Sequence, residues 1–285
     1  MFIIAIFLLL LLFAILSFAI KESSWKIATL ESLLILILTM VYGILRFTGY
    51  NGGFVSSYSY AIDTSIGISF TVGVSALSMA LLFLSAVIMF IAIFVSGREK
   101  FDRSFYGLML TTELGLYGLL ISRNFLFFYV FWEAIIIPVF MLISIYGGAG
   151  KEKAALKFFV YTQIGSVFLL LSILTLFSFY GTANHVFTLN MSKLLDSSFI
   201  IKYISGPQPF WTDFLLFGFF FSFLVKMPSF PLHSWLPDAY TSAPYPVSIV
   251  LAGAISLMGG YGFFAVLLPI APVIGSGIAW AIIIL

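Results

Sequence analysis

Charged residues divide this chain into long apolar stretches. None occurs from Met1 to Ile20, between Asp63 and Arg98, between Lys157 and Lys193, or after Asp238. A helix crossing the hydrocarbon layer of a membrane needs about 20 apolar residues. On that scale the pattern predicts nine hydrophobic elements, over residues 1–20, 28–46, 66–96, 104–121, 125–147, 156–180, 212–236, 245–268 and 271–285. Pro228, Pro231 and Pro237 crowd the seventh. Each removes a backbone donor, so that span is expected to be broken. The ninth stops at Leu285 with no polar flank, and is expected either to continue in a longer chain or to need a partner helix. No basic stretch precedes the first apolar run, so residues 1–20 read as an uncleaved helix and not as a signal peptide.

Composition agrees with the pattern. The chain is 62% hydrophobic and 8% charged, against about 25% charged in a soluble domain. No soluble fold has enough interior for that much apolar surface. Long runs in place of short alternating ones exclude an outer-membrane barrel. The fold class expected is all-α, a polytopic bundle of membrane helices with one discontinuous helix. The chain has no Cys, which excludes a protein-held iron–sulfur cluster or a Cys nucleophile. A net charge of +2 gives no sign of a nucleic-acid partner. Loops after the first, third and fifth elements carry Lys21, Lys26, Arg98, Lys100, Arg103, Lys151, Lys153 and Lys157; the alternate loops carry Arg46, Arg123, Lys193 and Lys202. This bias places the 98–103 and 151–157 loops on the cytoplasmic or matrix side. The loop over 181–211 mixes polar residues with Leu194, Leu195, Phe199, Ile200 and Ile201, and is expected to lie along the interface as a short amphipathic helix.

Three ionisable residues fall at mid-membrane depth, where a charge is costly and is a functional candidate by default. Glu113 lies midway between Arg103 and Arg123, about 15 Å from each at the helical rise. Glu133 is similarly central in the fifth element, and the tight turn between elements four and five allows the two carboxylates similar depths on adjacent helices. Lys226 lies midway between Asp213 and Asp238, just before the proline cluster. Pro228 and Pro231 are expected to free the carbonyls of Leu224 and Met227. His233 would share a helix face with Lys226 if the helix ran unbroken. A Glu–Lys contact that is made and broken can move a proton; the plainer reading is that it only fastens helices together. Lys157 is expected to reach the inside surface, Asp238 to tie down the broken segment, Glu31 to be an ordinary interfacial charge and His185 to be solvated.

Several short motifs follow one another in order: Phe131-Trp132-Glu133; Lys157-Phe158-Phe159-Val160-Tyr161-Thr162-Gln163; Val225-Lys226-Met227-Pro228; Pro231-Leu232-His233-Ser234-Trp235-Leu236-Pro237-Asp238-Ala239; Leu251-Ala252-Gly253; and Gly259-Gly260-Tyr261-Gly262. Over residues 100–265 or so, the sequence resembles the M-type antiporter-like membrane subunit of respiratory complex I, a family related to Mrp-type antiporter subunits. The resemblance implies N-terminal helices over 1–103, a first five-helix repeat of an inverted-repeat fold over 104–268, and the start of a further helix over 269–285. It implies proton translocation by a quinone oxidoreductase assembly, with Glu133, Lys226 and His233 matching the family's relay; the residues themselves add Lys157 and Glu113 as further candidates. It implies no cofactor in this chain, other membrane-arm subunits as partners, and quinone bound by those subunits. The location implied is a prokaryotic cell membrane, with the mitochondrial inner membrane as the alternative. A cation/proton antiporter subunit without redox coupling is the alternative function, and a scaffold that has lost transport is a third. Two positions depart from the family pattern. Leu257 stands where the family carries a Lys, with Ser256 and a water the only local substitute, and Tyr240 stands where it usually carries a His.

Overall fold

The structure is a computed structural model that describes residues 1–19, 25–48, 52, 54–63, 67–99, 101–204 and 209–270. Its long helices are α1 (Phe2–Ala19), α2 (Trp25–Phe47), α3 (Ala76–Ser96), α4 (Arg103–Ile121), α5 (Phe125–Tyr146), α6 (Lys151–Asn184), α7 (Pro209–Lys226), α8 (Trp235–Ser242) and α9 (Tyr245–Ile270). Among the described residues seven of these are long and apolar enough to cross a membrane. In α1 the buried positions Ile3, Ile6, Leu10, Ala14 and Ser17 form one helical stripe. Leu8, Leu12 and Ile15 on the other side are exposed. A helix that is apolar all round and half exposed needs lipid and not water on its free side. The predicted ninth element, 271–285, lies outside the described residues.

The third predicted element is two things. Residues Ile68–Val74 form a strand, β2, paired antiparallel with β1 (Val55–Asp63), and the helix starts only at Ala76. Ile68, Phe70, Val72 and Val74 alternate with smaller residues, a pattern that suits a pleated strand. Ser75 then ends it by capping α3, its side chain accepting from the Ser78 N–H at 3.1 Å. The far edge of β2 is closed by the α4–α5 turn, where the Arg123 N–H donates to the Thr71 carbonyl at 2.8 Å. The same turn pairs with the loop after α6 through Asn124 and Asn190. Hairpin, turn and loop thus cover one end of the bundle.

The centre of the bundle is α4, the most buried of the spanning helices. Its glycines make this packing possible: a Cβ on Gly115 would meet Ile135 at 2.4 Å, and one on Gly118 would meet Phe131 at 2.4 Å. Small residues that let helix backbones close up are the usual packing device inside membranes. α5 is interrupted at Ile135, between helical segments Phe125–Ala134 and Ile136–Tyr146. Pro138 has no N–H for the Ala134 carbonyl, which accounts for the interruption. α6 is longer than the predicted 156–180. It starts after Gly150, whose φ is 76°, and ends at His185, whose φ is 54°. His185 is therefore a left-handed helix stop, a role that solvation alone does not describe. The 181–211 loop forms two short helices, Met191–Leu194 and Ser197–Phe199, and a wide turn over Ile200–Ile204, in place of the single amphipathic helix expected. Met191, Leu194, Phe199 and Ile200 face inward.

Candidate functional site

The chain breaks where the prolines predict. α7 ends at Lys226, and regular helix resumes at Trp235. Of the two carbonyls expected to be freed, that of Leu224 is taken up locally. Leu224, denied a donor by Pro228, accepts from the Ser229 N–H at 3.1 Å. Val225 accepts from the indole Nε1 of Trp235 at 3.1 Å. Two contacts from α6 hold the returning segment: Lys157 Nζ to Asp238 Oδ2 at 2.8 Å, and the Ser234 hydroxyl to that of Tyr161 at 2.7 Å. Lys157 and Tyr161 are one turn apart, so one face of α6 supplies both. Lys157 thus does not simply reach into solvent. It secures the broken helix through Asp238, which takes the tying-down role expected of it. Its ammonium holds the Asp238 carboxyl below the usual range.

Lys226 lies at the last residue of α7 and is 1% exposed. Its Nζ has no hydrogen-bond partner. It sits 5.6 Å from the centre of the Trp132 ring and 5.9 Å from that of Phe158, so aromatic faces from α5 and α6 take the place of polar ligands. Glu133, the neighbour of Trp132, acts electrostatically on Lys226. Among the described residues the two do not meet as an ion pair, and Glu133 Oε1 is buried without a partner. The Tyr129 hydroxyl, one turn earlier on α5, interacts with the same carboxyl. His233 is in the turn before α8, its ring beside Phe230, its Nδ1 buried and unpartnered. Because the helix is interrupted, the shared face expected for Lys226 and His233 does not form, and no hydrogen bond joins them.

Glu113 is fully buried, and neither carboxyl oxygen has a hydrogen-bond partner. It does not face Glu133. Gly115 and Gly118 mark the side of α4 that packs on α5, and Glu113 lies about 160° round the helix from Gly115. On that side Tyr117 meets Thr39 of α2, hydroxyl to hydroxyl at 2.6 Å. The two mid-membrane carboxylates share a depth but not a compartment. Glu31 is near one membrane face and accepts from the Ser17 hydroxyl at 3.4 Å, a tie between α1 and α2.

Leu257, where the resemblance leads one to expect a Lys, lines a space of about 10 Å³ with Leu81, Ser85, Leu116, Leu120, Ala254 and Met258. A cavity needs roughly 10–15 Å³ to hold one water, so this space is at the lower limit, and Ser85 is the one polar side chain in its lining. The Ser256 hydroxyl donates to the Leu251 carbonyl at 3.0 Å on its own helix. The Tyr240 hydroxyl interacts with Ser256 from α8.

Two features escape a sequence reading. One is a column of rings, Phe125, Phe128, Trp132, Phe219, Phe223 and Tyr261, all within 1% of full burial. Centroid distances of 5.7–6.4 Å link them from the α4–α5 turn down to the Lys226 level. The other is Arg123. By charge counting it is an ordinary loop cation, yet it is only 6% exposed. Nothing in its local sequence marks it, since its partners come from Gly73 and Ser78 on distant elements.

A bundle of membrane helices with a broken helix and buried, unpartnered charges at mid-depth belongs to the class of ion-moving membrane proteins. The chain belongs to the NADH:quinone oxidoreductase/Mrp antiporter transmembrane family, whose pattern matches residues 122–285. It is 33% identical over 270 residues to the F(420)H(2) dehydrogenase subunit M of Methanosarcina mazei, covering 93% of this chain and 53% of that one. It is 35% identical over 261 residues to the NADH-quinone oxidoreductase subunit M of Rickettsia conorii, covering 91% and 50%. A chain in the structure of respiratory complex I from Thermus thermophilus with bound NADH superposes with a TM-score of 0.77 at 27% identity, over 95% of this chain and 54% of that chain. An archaeal membrane-bound sulfane sulfur reductase shares the fold at 22% identity and a TM-score of 0.75. The chain therefore spans about half the length of the relatives it matches. It is a multi-pass membrane protein with the antiporter-like fold.

Proposed function

We propose that this chain works in the membrane arm of a complex I-type quinone oxidoreductase and moves protons by loading and unloading the Lys226 amine. Its relatives are subunits of an NADH-quinone oxidoreductase and of an F(420)H(2) dehydrogenase, and on this reading its partners are the other membrane-arm subunits. Electron transfer and quinone binding fall to them. The observation that carries the proposal is the state of Lys226: fully buried at a helix break, with no polar ligand, and within electrostatic reach of one carboxylate. Bringing Glu133 against the amine favours its charged form; withdrawing it leaves an isolated charge that costs several kcal/mol to keep. Alternating between the two positions takes up a proton and gives it back.

His233, in the turn before α8, is the group that exchanges protons between the amine and the face carrying the 147–151 loop. The contacts from Lys157 and Tyr161 fix where that turn sits. Glu113, on the other side of α4, is not part of this pair.

Replacement of Glu133 by Gln in the assembled complex tests the reading. Proton pumping per electron is expected to be lost while the complex assembles and oxidises its donor. Unchanged stoichiometry overturns the switch.

A further inference from the structure

We propose that Arg123 is a fixed positive bolt that keeps the hairpin end of this half of the protein closed to protons. Arg123 lies in the turn between α4 and α5, above the ring column that leads to Lys226. Its Nε donates to the Gly73 carbonyl at 3.1 Å and its Nη2 to the Ser78 hydroxyl at 2.9 Å. The guanidinium carbon lies 4.0 Å from the centre of the Phe54 ring. All of these partners are neutral. Among the described residues no carboxylate lies within ion-pair distance. A guanidinium does not give up its proton in proteins, so a full positive charge stands permanently in a poorly hydrated place. Such a charge is a barrier to any cation, hydronium included, and pores use buried arginines in this way.

The hydrogen bonds around it add a second obstacle. Ser78 Oγ lies 3.3 Å from the Tyr261 hydroxyl, which donates to the Leu120 carbonyl at 3.2 Å. Ser75 Oγ lies 3.0 Å from Ser78 Oγ. These hydroxyls are the polar thread along the column, and a proton crossing it would have to hop along them. The Tyr261 proton is committed to a carbonyl, which can accept a hydrogen bond but cannot pass a proton on. Arg123 donates into the Ser78 oxygen that an entering proton would need. The thread is therefore oriented, terminated and guarded by charge at its mouth. Below it, the rings are all within 1% of full burial, with centroids 5.7–6.4 Å apart.

The inference rests on the reading that protons reach Lys226, and its test is run without turnover so that the two are separable. The assembled complex is sealed into vesicles, with no electron donor, and the decay of an imposed pH difference is followed with an enclosed dye. Arg123→Gln keeps a donor but removes the charge. Ser78→Asp leaves Arg123 in place and supplies a counter-charge. Both are expected to speed the decay several-fold, and Arg123→Lys is expected to hold the gradient as the parent does. If one of the first two fails to assemble, the other decides. Assembled Gln and Asp variants as tight as the parent overturn the bolt, and so does a Lys variant as leaky as the Gln variant, which would assign the effect to clamp geometry. A Glu133→Gln complex that still pumps overturns the relay instead.

Discussion

The indole of Trp235 and the carbonyl of Val225 are joined at 3.1 Å across the break in the seventh span. The two residues sit on opposite sides of the interruption, and both are buried. The bond does what the missing helical turn would have done: it satisfies a main-chain acceptor inside the membrane, where no lipid group can. It also fixes the distance between Lys226, next to Val225, and the start of α8.

Trp235→Phe keeps the ring and deletes the donor. It leaves the Val225 carbonyl buried and unpaired, at a cost of about 1–3 kcal/mol. The expected result is a lower melting temperature of the purified complex and faster hydrogen exchange over 227–242. A variant that matches the parent in both would show that the bond is dispensable.

The Lys157–Asp238 contact carries a pH dependence. Its partner ammonium lowers the Asp238 pKa in the folded protein, so the contact contributes above the ordinary carboxylate range and its contribution is lost as pH falls through the lowered value. Exchange protection of 227–242, corrected for intrinsic rates, is expected to fall on acidification in the parent and to be low and insensitive to pH in Asp238→Asn. Equal profiles would remove the contact from the account of the break.

Neighbouring glycines in α9 should answer differently to the same methyl group. A Cβ on Gly259 would stand 2.6 Å from the Phe223 carbonyl oxygen and 2.7 Å from the Met227 nitrogen, both backbone, whereas one on Gly260 meets only Met227 Sδ at 3.9 Å. Gly259→Ala is expected to destabilise by about 1–3 kcal/mol as an overpacked contact, and Gly260→Ala to be close to silent. Thermal unfolding of the two variants side by side decides.

Leu257→Lys introduces the cation expected at this position from the resemblance, into a mostly apolar lining with about 10 Å³ of free space. The expected outcome is reduced assembly, by about 3 kcal/mol or more for an unpaired charge, and no gain in pumping. A fully assembled variant with raised proton-to-electron ratio would show that the site opens.

Most of the spans are legible in the sequence because their signal is long: a charge-free run of twenty residues has few other uses. The broken helix is legible for the same kind of reason, since Pro228 and Pro231 act locally on the backbone. The start of α3 is not, because a seven-residue strand without charges runs straight into an apolar helix, and only Ser75 marks the join. Depth along a helix can be counted, which places Glu113, Glu133 and Lys226 near the middle. Direction across the bundle cannot, which is why Glu113 and Glu133 look like neighbours in sequence and occupy opposite faces of α4 in the fold. Arg123 is the extreme case. Its burial depends on a hairpin and a helix start some fifty residues earlier, and a charge tally treats it like any loop cation.

α6 runs for 34 residues without a stop, about 51 Å at the helical rise, against a hydrocarbon layer of about 30 Å. One end holds Asp238 through Lys157, and the other packs Tyr180 against Phe199 at 4.9 Å. A rod that overshoots the bilayer in this way is a lever. Any tilt imposed on it where the discontinuous helix is anchored is delivered, undiminished by a hinge, to the cap on the far side of the membrane.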